Sequence, residues 1–522
     1  MQERKLYRAT VLMTAGTALS RLTGLARVAA LTYALGVTGS RLADTYNIAN
    51  TLPNIIFELF LGGVLTSLLV PVVISMRSEG RSDVSGLVTS SLIVLTALSV
   101  LTIVAAPLLI RVYTLRIDAA VRDETRELAT FLLRWFAPQI LFYGLSAIGE
   151  ALLNVRHRFG PPKFIPVLNN LIWGGTFLAY ARLFGEQGLS LSPGAKTLLG
   201  AGTTLGVVVQ GLAYLPLLRQ DRLRFRPDFS DPAIRSMLRL SGYVMAYVVV
   251  NQIGLWVVIQ LAQSVAGGVT AYQVAFIFLQ LPHGLFAVSL NSALHPDLSA
   301  AAVGGDWDSY RRSFAAGVRG TAFLLVPAAV GYALLSRPLA RMLLARGASG
   351  VRDADAVASV LTAFCVGLPF FSLFQFLTRC FYALRITRTP TLVRAAAVAV
   401  HAAVNVPLFT ALGVPGLALG HGISYAFGSI VLWGLLSGRV QGGLSAQALV
   451  SPVARVAASA AAMGAGVWAI VAWLGQGPFA VLAATAAGAV LYLVFSQVTG
   501  LTEGRMLLES IRRTPAPAPT PE

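Results

Sequence analysis

Long apolar stretches, separated only by short arginine clusters and by proline and glycine turns, run through all 522 residues of this chain. Soluble globular proteins are about 45–50% apolar and about 25% charged, whereas 56% of these residues are hydrophobic and 12% are charged. Because charge is scarce over the whole length, the pattern excludes a soluble enzyme with one membrane anchor, a disordered protein and a disulfide-built secreted domain. It predicts an all-α polytopic membrane protein.

A helix that crosses a membrane needs about 20 mostly apolar residues. Cut at its charge clusters and turns, the chain contains fourteen such stretches, which we number as spans 1 to 14. They cover residues 8–36, 43–76, 86–110, 129–155, 162–183, 198–218, 236–263, 270–298, 313–336, 356–384, 391–411, 416–437, 453–474 and 478–499. The first apolar run is too long for a signal-peptide core and contains two arginines, so we expect it to be a retained span.

The basic residues predict the orientation of these spans. With the N-terminus inside, 26 of the 40 Lys and Arg residues fall in cytoplasmic loops and span ends, 12 fall in outer loops and span ends, and Arg21 and Arg27 lie inside a span away from its ends. Cytoplasmic loops of membrane proteins carry such an excess, so we expect both termini in the cytoplasm. The net charge of +18 then reflects membrane topology, and no nucleic-acid partner is expected.

Two pairs of short segments indicate an internal repeat. Residues 52–57 (LPNIIF) resemble 281–286 (LPHGLF), and residues 158–162 (RFGPP) resemble 386–390 (ITRTP), at shifts of 229 and 228. A shift of six spans preserves orientation, which predicts two pseudo-symmetric six-helix lobes around a central cavity, as in alternating-access carriers. The predicted parts are an N-lobe (1–218), a basic cytoplasmic linker (219–235), a C-lobe (236–438), two further spans (453–499) and a cytoplasmic tail (500–522).

Charged residues in the first two spans are unexpected, because a charge inside a membrane normally faces a cavity or a partner. Arg21 and Arg27 are six residues apart and project about 120° from each other on a helix. Both can line a wide cavity, and the alternative is that one of them snorkels to the interface. Asp44 is either an exposed helix cap or part of the site, and Glu58 is either a partner of an arginine or a functional group.

Amides and histidines complete the polar set. Asn47, Asn50 and Asn54 follow Asp44 on one face of span 2, which favours a wet wall over simple helix joining. The second lobe offers neutral groups, namely Asn251, Gln252, Gln260, Gln273, Gln280, His283, His401, Asn405 and His421. Such histidines usually pack between helices, and the functional alternative is an ion or proton site.

No catalytic or metal-binding pattern competes with transport. The sequence contains no GxxxxGK[ST], HExxH or GxSxG motif. Its two cysteines, Cys365 and Cys380, lie in one apolar stretch without metal-ligand spacing. No loop is long enough for an ATPase domain. We therefore expect a transporter without catalytic residues, metal or cofactor, driven by the membrane potential or an ion gradient.

Several motifs together resemble a known family. They are residues 20–27 (SRLTGLAR), 43–46 (ADTY), 50–54 (NTLPN), 70–71 (VP), 154–161 (NVRHRFGP), 166–170 (PVLNN), 280–284 (QLPHG), 381–383 (FYA) and 387–390 (TRTP). In these motifs the chain resembles the MurJ/MviN family of lipid II flippases, part of the multidrug/oligosaccharidyl-lipid/polysaccharide exporter superfamily. The resemblance covers essentially the whole chain, and fourteen spans in two lobes plus two are typical of that family.

The resemblance implies the substrate lipid II, an undecaprenyl diphosphate bearing a disaccharide-pentapeptide, moved from the inner to the outer leaflet of the bacterial cytoplasmic membrane. By position, Arg21 and Arg27 match the family's cavity arginines, which are taken to contact the diphosphate, and Asp44 matches its acid in span 2. Guanidinium groups suit phosphate oxygens. Spans 13 and 14 match the family's groove for the lipid tail. The predicted substrate-binding set is Ser20, Arg21, Arg27, Asp44, Asn50, Asn54, Gln280 and His283.

Three departures from the family pattern reduce the cavity charge or change the ion site. Where many members carry arginine after the LPN motif, this chain has Ile55, Ile56, Phe57 and Glu58. It has Ile277 near the position where many carry arginine before the proline of span 8. Some members bind sodium through carboxylates that are absent here. The predicted set for ion or proton coupling is Asn251, His401, Asn405, His421 and Glu58.

Three functions remain open at this point. The first is a lipid II flippase working by alternating access, with membrane lipids and cell-wall synthesis proteins as further partners. The second is an exporter of another polyprenyl-linked glycan, or a drug/cation antiporter of the same superfamily with His401 and Asp44 titrating. The third is a non-transporting membrane scaffold of cell-wall assembly, in which Glu58 disables the cavity.

Overall fold

The structure, a computed structural model, describes residues 2–59, 84–156, 158–185, 188–219, 223–229 and 242–505, and every regular element in these ranges is a helix. The first eight helices are α1 (Gln2–Leu35), α2 (Leu42–Phe57), α3 (Ser85–Tyr113), α4 (Arg122–Phe136), α5 (Gln139–Val155), α6 (Pro161–Phe184), α7 (Pro193–Leu212) and α8 (Leu215–Leu218). The others are α9 (Gly242–Ala262), α10 (Gly268–Pro282), α11 (Val288–Gly304), α12 (Trp307–Leu344), α13 (Val351–Ala383), α14 (Arg388–Leu412), α15 (Val414–Ser437), α16 (Gln447–Leu474) and α17 (Pro478–Val498).

The helices are apolar on faces that the protein itself leaves uncovered. Eleven described helical segments are long and apolar enough to cross a membrane, and in the most apolar window of α3 only 28% of the residues are buried. Large apolar side chains such as Val104, Ile430 and Trp473 are exposed. Such surfaces require lipid, and a helix satisfies its backbone hydrogen bonds internally, as a bilayer demands. The chain is a multi-pass all-α membrane protein, as the sequence predicts.

The described helices do not establish the predicted number of fourteen spans. Helices α1, α2 and α6 overlap predicted spans 1, 2 and 5 but are not among the eleven apolar segments. Predicted span 4 consists of two helices, α4 and α5, which meet at Pro138. Predicted span 8 contains a π-helical turn, His283–Ala287, directly after Pro282; a proline lacks the amide hydrogen that a regular helix needs there. Fourteen therefore stays a prediction.

Some predicted features lie outside the described residues. These are the second half of span 2 with the motif at 70–71, His157 in the motif at 154–161, parts of the linker (220–222 and 230–235), the start of span 7, and the tail beyond 505.

The described helices form two compact units. Unit 1 comprises Met1–Val274 and Leu343–Ala354, and unit 2 comprises Ala275–Met342 and Asp355–Glu522. Unit 1 thus joins α9 and the beginning of α10 to the helices of the predicted N-lobe. The lobe boundaries themselves stay a prediction.

Unit 1 is built around aromatic residues and close helix contacts. Tyr46 of α2 packs edge-on against Phe136 and Phe177, each with ring centres 5.4 Å away. Its hydroxyl lies 2.8 Å from the hydroxyl of Thr203 in α7. A Cβ on Gly206 of α7 would lie 2.5 Å from the Trp173 ring of α6. This close approach fixes the position of that ring, which the functional site uses.

Two hydrophobic clusters lie among the described residues of unit 2. One connects the five helices from α11 through α15 by buried residues that include Phe314, Phe374 and Phe381. The other joins α12, α16 and α17 around Phe323, Met463 and Tyr492, and the Tyr492 hydroxyl donates to the Phe323 carbonyl at 2.8 Å. The last two helices, α16 and α17, therefore pack against α12 within unit 2.

The backbones of α13 and α15 meet at two glycines. A Cβ on Gly367 would lie 2.6 Å from the Cα of Gly422. We expect Gly367→Ala to lower the thermal midpoint of the purified protein, because overpacking of this kind costs about 1–3 kcal/mol. Gly174→Ala in α6 is the matched control, since its Cβ would meet nothing within 4 Å. Equal midpoints for both variants would contradict the glycine contact.

Candidate functional site

Arg27 is held against an aromatic ring. Its Cζ lies 4.6 Å from the centre of the Trp173 ring. Trp173 is buried, and its indole N–H donates to the Thr203 carbonyl at 2.6 Å. A guanidinium over an indole face is attracted by the ring quadrupole. No described carboxylate forms an ion pair with Arg27, so its positive charge is positioned but not neutralised.

The groups around Arg27 are neutral. Tyr46 and Tyr143 interact electrostatically with Arg27, and both hydroxyls have protein partners. The Tyr143 hydroxyl donates to Gln139 Oε1 at 3.1 Å, and Gln139 Nε2 donates to the Thr204 hydroxyl at 3.3 Å. The network fixes these side chains around the guanidinium without adding a negative charge. Such a setting is suited to an anionic ligand.

Arg21 has different surroundings from Arg27. Arg21 is exposed, whereas Arg27 is half-buried. Asn170 Nδ2 of α6 donates both to the Ser20 carbonyl and to the Thr23 hydroxyl, each at 3.1 Å. These bonds fix the rotation of α1 against α6. The described polar contact of Ser20 with α6 therefore comes through its backbone carbonyl.

Asp44 caps the start of α10. One carboxylate oxygen accepts the Gly267 N–H at 2.8 Å, and the other accepts the Thr270 N–H at 2.8 Å and the Thr270 hydroxyl at 2.7 Å. A carboxylate at a helix N-terminus satisfies free amides and complements the helix dipole. Asp44 is 3% exposed. The alternative that it is an exposed cap of its own helix, which the sequence allowed, is therefore wrong.

The amides of α2 do not share one environment. Asn47 Nδ2 donates to the Thr270 hydroxyl at 3.0 Å, so Asn47 joins α2 to α10. Asn50 is half-buried and its Oδ1 has no hydrogen-bond partner. Asn54 is exposed. The polar face predicted for span 2 therefore changes along the helix from a helix contact to an accessible surface.

The two predicted substrate residues of the second lobe belong to unit 2. Gln280 is half-buried near the end of α10. The Nδ1 of His283 is hydrogen-bonded to the Ser372 hydroxyl at 2.9 Å, and its ring lies 4.5 Å from that of Phe371. His283 begins the π-helical turn, so the break at Pro282 sets its direction.

Three of the residues predicted for ion coupling lie together in unit 2. His401 and Asn405 of α14 and His421 of α15 are buried, and the two histidine rings are 5.9 Å apart. His401 Nε2, His421 Nδ1 and both side-chain heteroatoms of Asn405 lack hydrogen-bond partners. The Arg394 guanidinium lies 4.5 Å over the Tyr425 ring, which contacts His421. The cluster is polar but already has a cation nearby.

The other two predicted coupling residues belong to unit 1. Asn251 donates to the Tyr247 carbonyl at 2.7 Å, and Glu58 is half-buried at the end of α2. Among the described residues, no group of three His, Cys, Asp or Glu side chains is placed to hold a metal ion.

Comparison with known proteins decides the family. The family model described as lipid II flippase MurJ matches residues 31–488. The chain belongs to the lipid II flippase MurJ family. This family consists of transporters, so the protein is a transporter and not an enzyme.

Similarity to individual MurJ proteins extends over most of the chain. A probable lipid II flippase MurJ of Haemophilus influenzae is 28% identical over 475 residues, which are 87% of this chain and 90% of that protein. One of Rhizobium tropici is 30% identical over 415 residues, 78% of this chain and 76% of that protein.

Solved structures show the same fold. A lipid II flippase MurJ in an inward closed conformation is 22% identical, with a TM-score of 0.78 over 95% of this chain and 100% of that chain. An inward-facing multidrug resistance MATE family transporter of the MOP superfamily is 16% identical, with a TM-score of 0.64 over 82% of this chain and 98% of that chain.

The structure of this MurJ family member also shows polar residues that the sequence did not single out. Asp353, in the first turn of α13, accepts the Val37 N–H at 2.9 Å and the Thr38 N–H at 3.0 Å, and the Thr38 hydroxyl also donates to it. It is 4% exposed. A signal was available, since Asp353, like Asp44, is an acid in the first helical turn after a predicted outer loop. We call Asp44 and Asp353 the outer carboxylate pair.

A surface cavity of about 490 Å³ in unit 2 is lined by Asp297, Asp306, Ser309 and Arg312 among others, and by none of the predicted site residues. Hydrogen bonds from the Ser309 hydroxyl and N–H to Asp306 lower the pKa of that carboxyl below its ordinary value. Two carboxylates against one arginine do not suit a diphosphate, so this cavity is not part of the proposed substrate site.

Proposed function

We propose that this chain moves lipid II from the inner to the outer leaflet of the bacterial cytoplasmic membrane. The observation that carries this proposal is Arg27, whose charge lies in predicted span 1, held over Trp173 without a described carboxylate partner. The substrate's diphosphate is anionic, and a guanidinium donates hydrogen bonds in a fork that matches phosphate oxygens. Arg21, exposed on the same helix, contributes the second cation.

The proposed mechanism is alternating access of the two predicted lobes. The inward-open state captures the headgroup on Arg21 and Arg27, and the remaining predicted substrate residues, Ser20, Asp44, Asn50, Asn54, Gln280 and His283, complete the surface through which it passes. The lipid tail stays in the bilayer or along α16 and α17. Exposed apolar side chains on these two helices, such as Trp473 and Phe479, support a lipid-facing role.

The outer carboxylate pair supplies the outer closure in this proposal. Asp44, from the predicted N-lobe, accepts amides at the start of α10, which belongs to the predicted C-lobe. Asp353, from the predicted C-lobe, accepts amides of the loop after α1. Both sets of bonds have to break before a headgroup leaves on the outer side.

The membrane potential is the proposed driving force. An inside-negative potential favours outward movement of anions by about 2.3 kcal/mol per charge per 100 mV. Ion or proton uptake at His401, Asn405, His421, Asn251 or Glu58 is the alternative source of energy. Arg394 beside the histidine cluster favours the membrane potential as the driving force, because its fixed positive charge opposes the binding of a second cation there. Both chain termini are placed in the cytoplasm in this proposal.

The test is a headgroup translocation assay in vesicles containing the purified full chain. We expect lipid II to be translocated, and a polyprenyl phosphate bearing another sugar to move at least about tenfold more slowly, which corresponds to 1.4 kcal/mol. Equal rates would favour a broader glycan exporter. Binding of lipid II without translocation would favour the scaffold function and overturn the proposal.

The same vesicles separate the driving forces. A potassium diffusion potential at equal pH and equal sodium on both sides is expected to increase the rate. A pH or sodium gradient without a potential is expected to have no effect. The reverse result would indicate that an ion or proton gradient drives transport through the predicted coupling residues.

A further inference from the structure

An extended segment of the predicted linker lies along the beginning of α3. The Arg224 N–H donates to the Ser85 hydroxyl at 3.0 Å, the Arg226 N–H to the Thr89 hydroxyl at 3.3 Å, and the Asp228 N–H to the Ser90 hydroxyl at 2.9 Å. Thr89 in turn donates to the Arg224 carbonyl at 3.3 Å. We call residues 223–229 the interfacial segment. Its backbone N–H groups donate to side-chain hydroxyls of a helix, whereas those of a β-strand would donate to a neighbouring strand.

The contacts place this segment at the membrane boundary. These contacts stay within residues 85–90, over which the helix rises about 7.5 Å: Arg224 bonds Ser85 and Thr89, and Asp228 bonds Ser90 and lies beside Gly86. Helix α3 is the most apolar of the eleven described spans, and Ser85 is its first residue. The segment therefore crosses the first one and a half turns of an apolar helix that is long enough to span a membrane, where we expect the lipid headgroups to lie.

The side chains of the segment are those that interfaces favour. Phe225 is 82% exposed and Phe229 is 59% exposed. Arg224 and Arg226 are also exposed. Alternate residues of an extended chain point to opposite sides, so the Phe225 ring points away from the side that Arg224 and Arg226 share. Aromatic rings are enriched at headgroup level, and arginines near a membrane surface attract anionic lipids.

We propose that the interfacial segment is a binding site for anionic phospholipid headgroups of the cytoplasmic leaflet. Phe225 and Phe229 enter the interface between lipids, and Arg224 and Arg226 bind lipid phosphates. The hydroxyls of Ser85, Thr89 and Ser90 hold the backbone so that the rings remain at that depth. The site is separate from Arg27 and depends on the predicted orientation, with the beginning of α3 on the cytoplasmic side.

The test measures the depth of a nitroxide label in vesicles. Cys365 and Cys380 are buried, so Phe225→Cys and Phe229→Cys each create one accessible thiol in the full chain. In vesicles containing phosphatidylglycerol, we expect both labels to collide more with oxygen and less with a water-soluble nickel chelate than a label at Gln441→Cys. Gln441 is the control because it is exposed on the same predicted side, in a loop without aromatic residues.

The arginines are tested by changing lipid and protein together. Exchanging phosphatidylglycerol for phosphatidylcholine is expected to raise nickel accessibility at both labels. Arg224→Gln and Arg226→Gln are each expected to reduce the ratio of immersed to aqueous label by about fivefold in the anionic vesicles, with little change in the neutral ones. Labels as water-accessible as the control, or equal immersion in both lipids, would overturn the proposal.

Discussion

Arg27→Ala is expected to lower the rate of lipid II translocation by about 10- to 100-fold, because a hydrogen bond to a charged group contributes about 1.5–3 kcal/mol. It is also expected to fail to support growth of a strain depleted of its own flippase, although the protein reaches the membrane in normal amounts. Arg27→Lys keeps the charge but loses the planar fork and the stack on Trp173, so we expect an intermediate rate.

The control removes one positive charge elsewhere. Arg182 is exposed near the end of α6, and Arg182→Ala is expected to translocate at the rate of the unaltered protein. Trp173→Phe keeps an aromatic face but loses the hydrogen bond to the Thr203 carbonyl. Its translocation rate is therefore expected to lie between the rates of Arg27→Lys and of the unaltered protein. Normal growth and a normal rate with Arg27→Ala would remove Arg27 from the proposed site.

Asp44→Asn is expected to open the predicted outer side. One of the two acceptor oxygens becomes an NH2 group that cannot accept from the amide it faces, and the oxygen that remains is neutral; each hydrogen bond to a charged group contributes about 1.5–3 kcal/mol. Val269, in the first turn of α10, is 1% exposed. We expect a thiol-reactive probe added outside to label Val269→Cys about 10- to 100-fold faster when Asp44 is also Asn.

The comparison for this experiment is Asp123→Asn. Asp123 is an exposed carboxylate in a segment that the sequence also predicts to lie outside, so it controls for the loss of one negative charge. Asp353→Asn is also expected to raise the rate at which the outside probe labels Val269→Cys. An unchanged labelling rate with Asp44→Asn would show that these hydrogen bonds do not limit access from the outside.

The sequence predicts the membrane class well and the contacts between distant residues poorly. Apolar runs and the two arginines within span 1 are local signals, and they lead directly to the all-α fold and to Arg27. By contrast, Asp44 bonds Thr270 across 226 positions of sequence, and no local pattern records that pairing. For this reason the sequence left an exposed cap open for Asp44, and the structure buries it.

Chemically ambiguous residues explain the other gaps. A tryptophan in an apolar span normally indicates core packing, so Trp173 gave no sign that its ring lies against Arg27. His401 and Asn405 lie four residues apart on one helix face, so their juxtaposition is predictable. Their proximity to His421 depends on how α14 and α15 pack, which composition does not encode.

The outer carboxylate pair has a consequence for how the protein can change during evolution. The amide donors at residues 37, 38, 267 and 270 belong to the main chain, so a substitution other than proline leaves them in place. Gly267 is further restricted, because a Cβ there would lie 2.3 Å from the Val37 carbonyl oxygen. Natural variation can therefore adjust the strength of this contact mainly through the two acids and through the hydroxyls of Thr38 and Thr270, and inherited changes in outward opening should concentrate at these four positions.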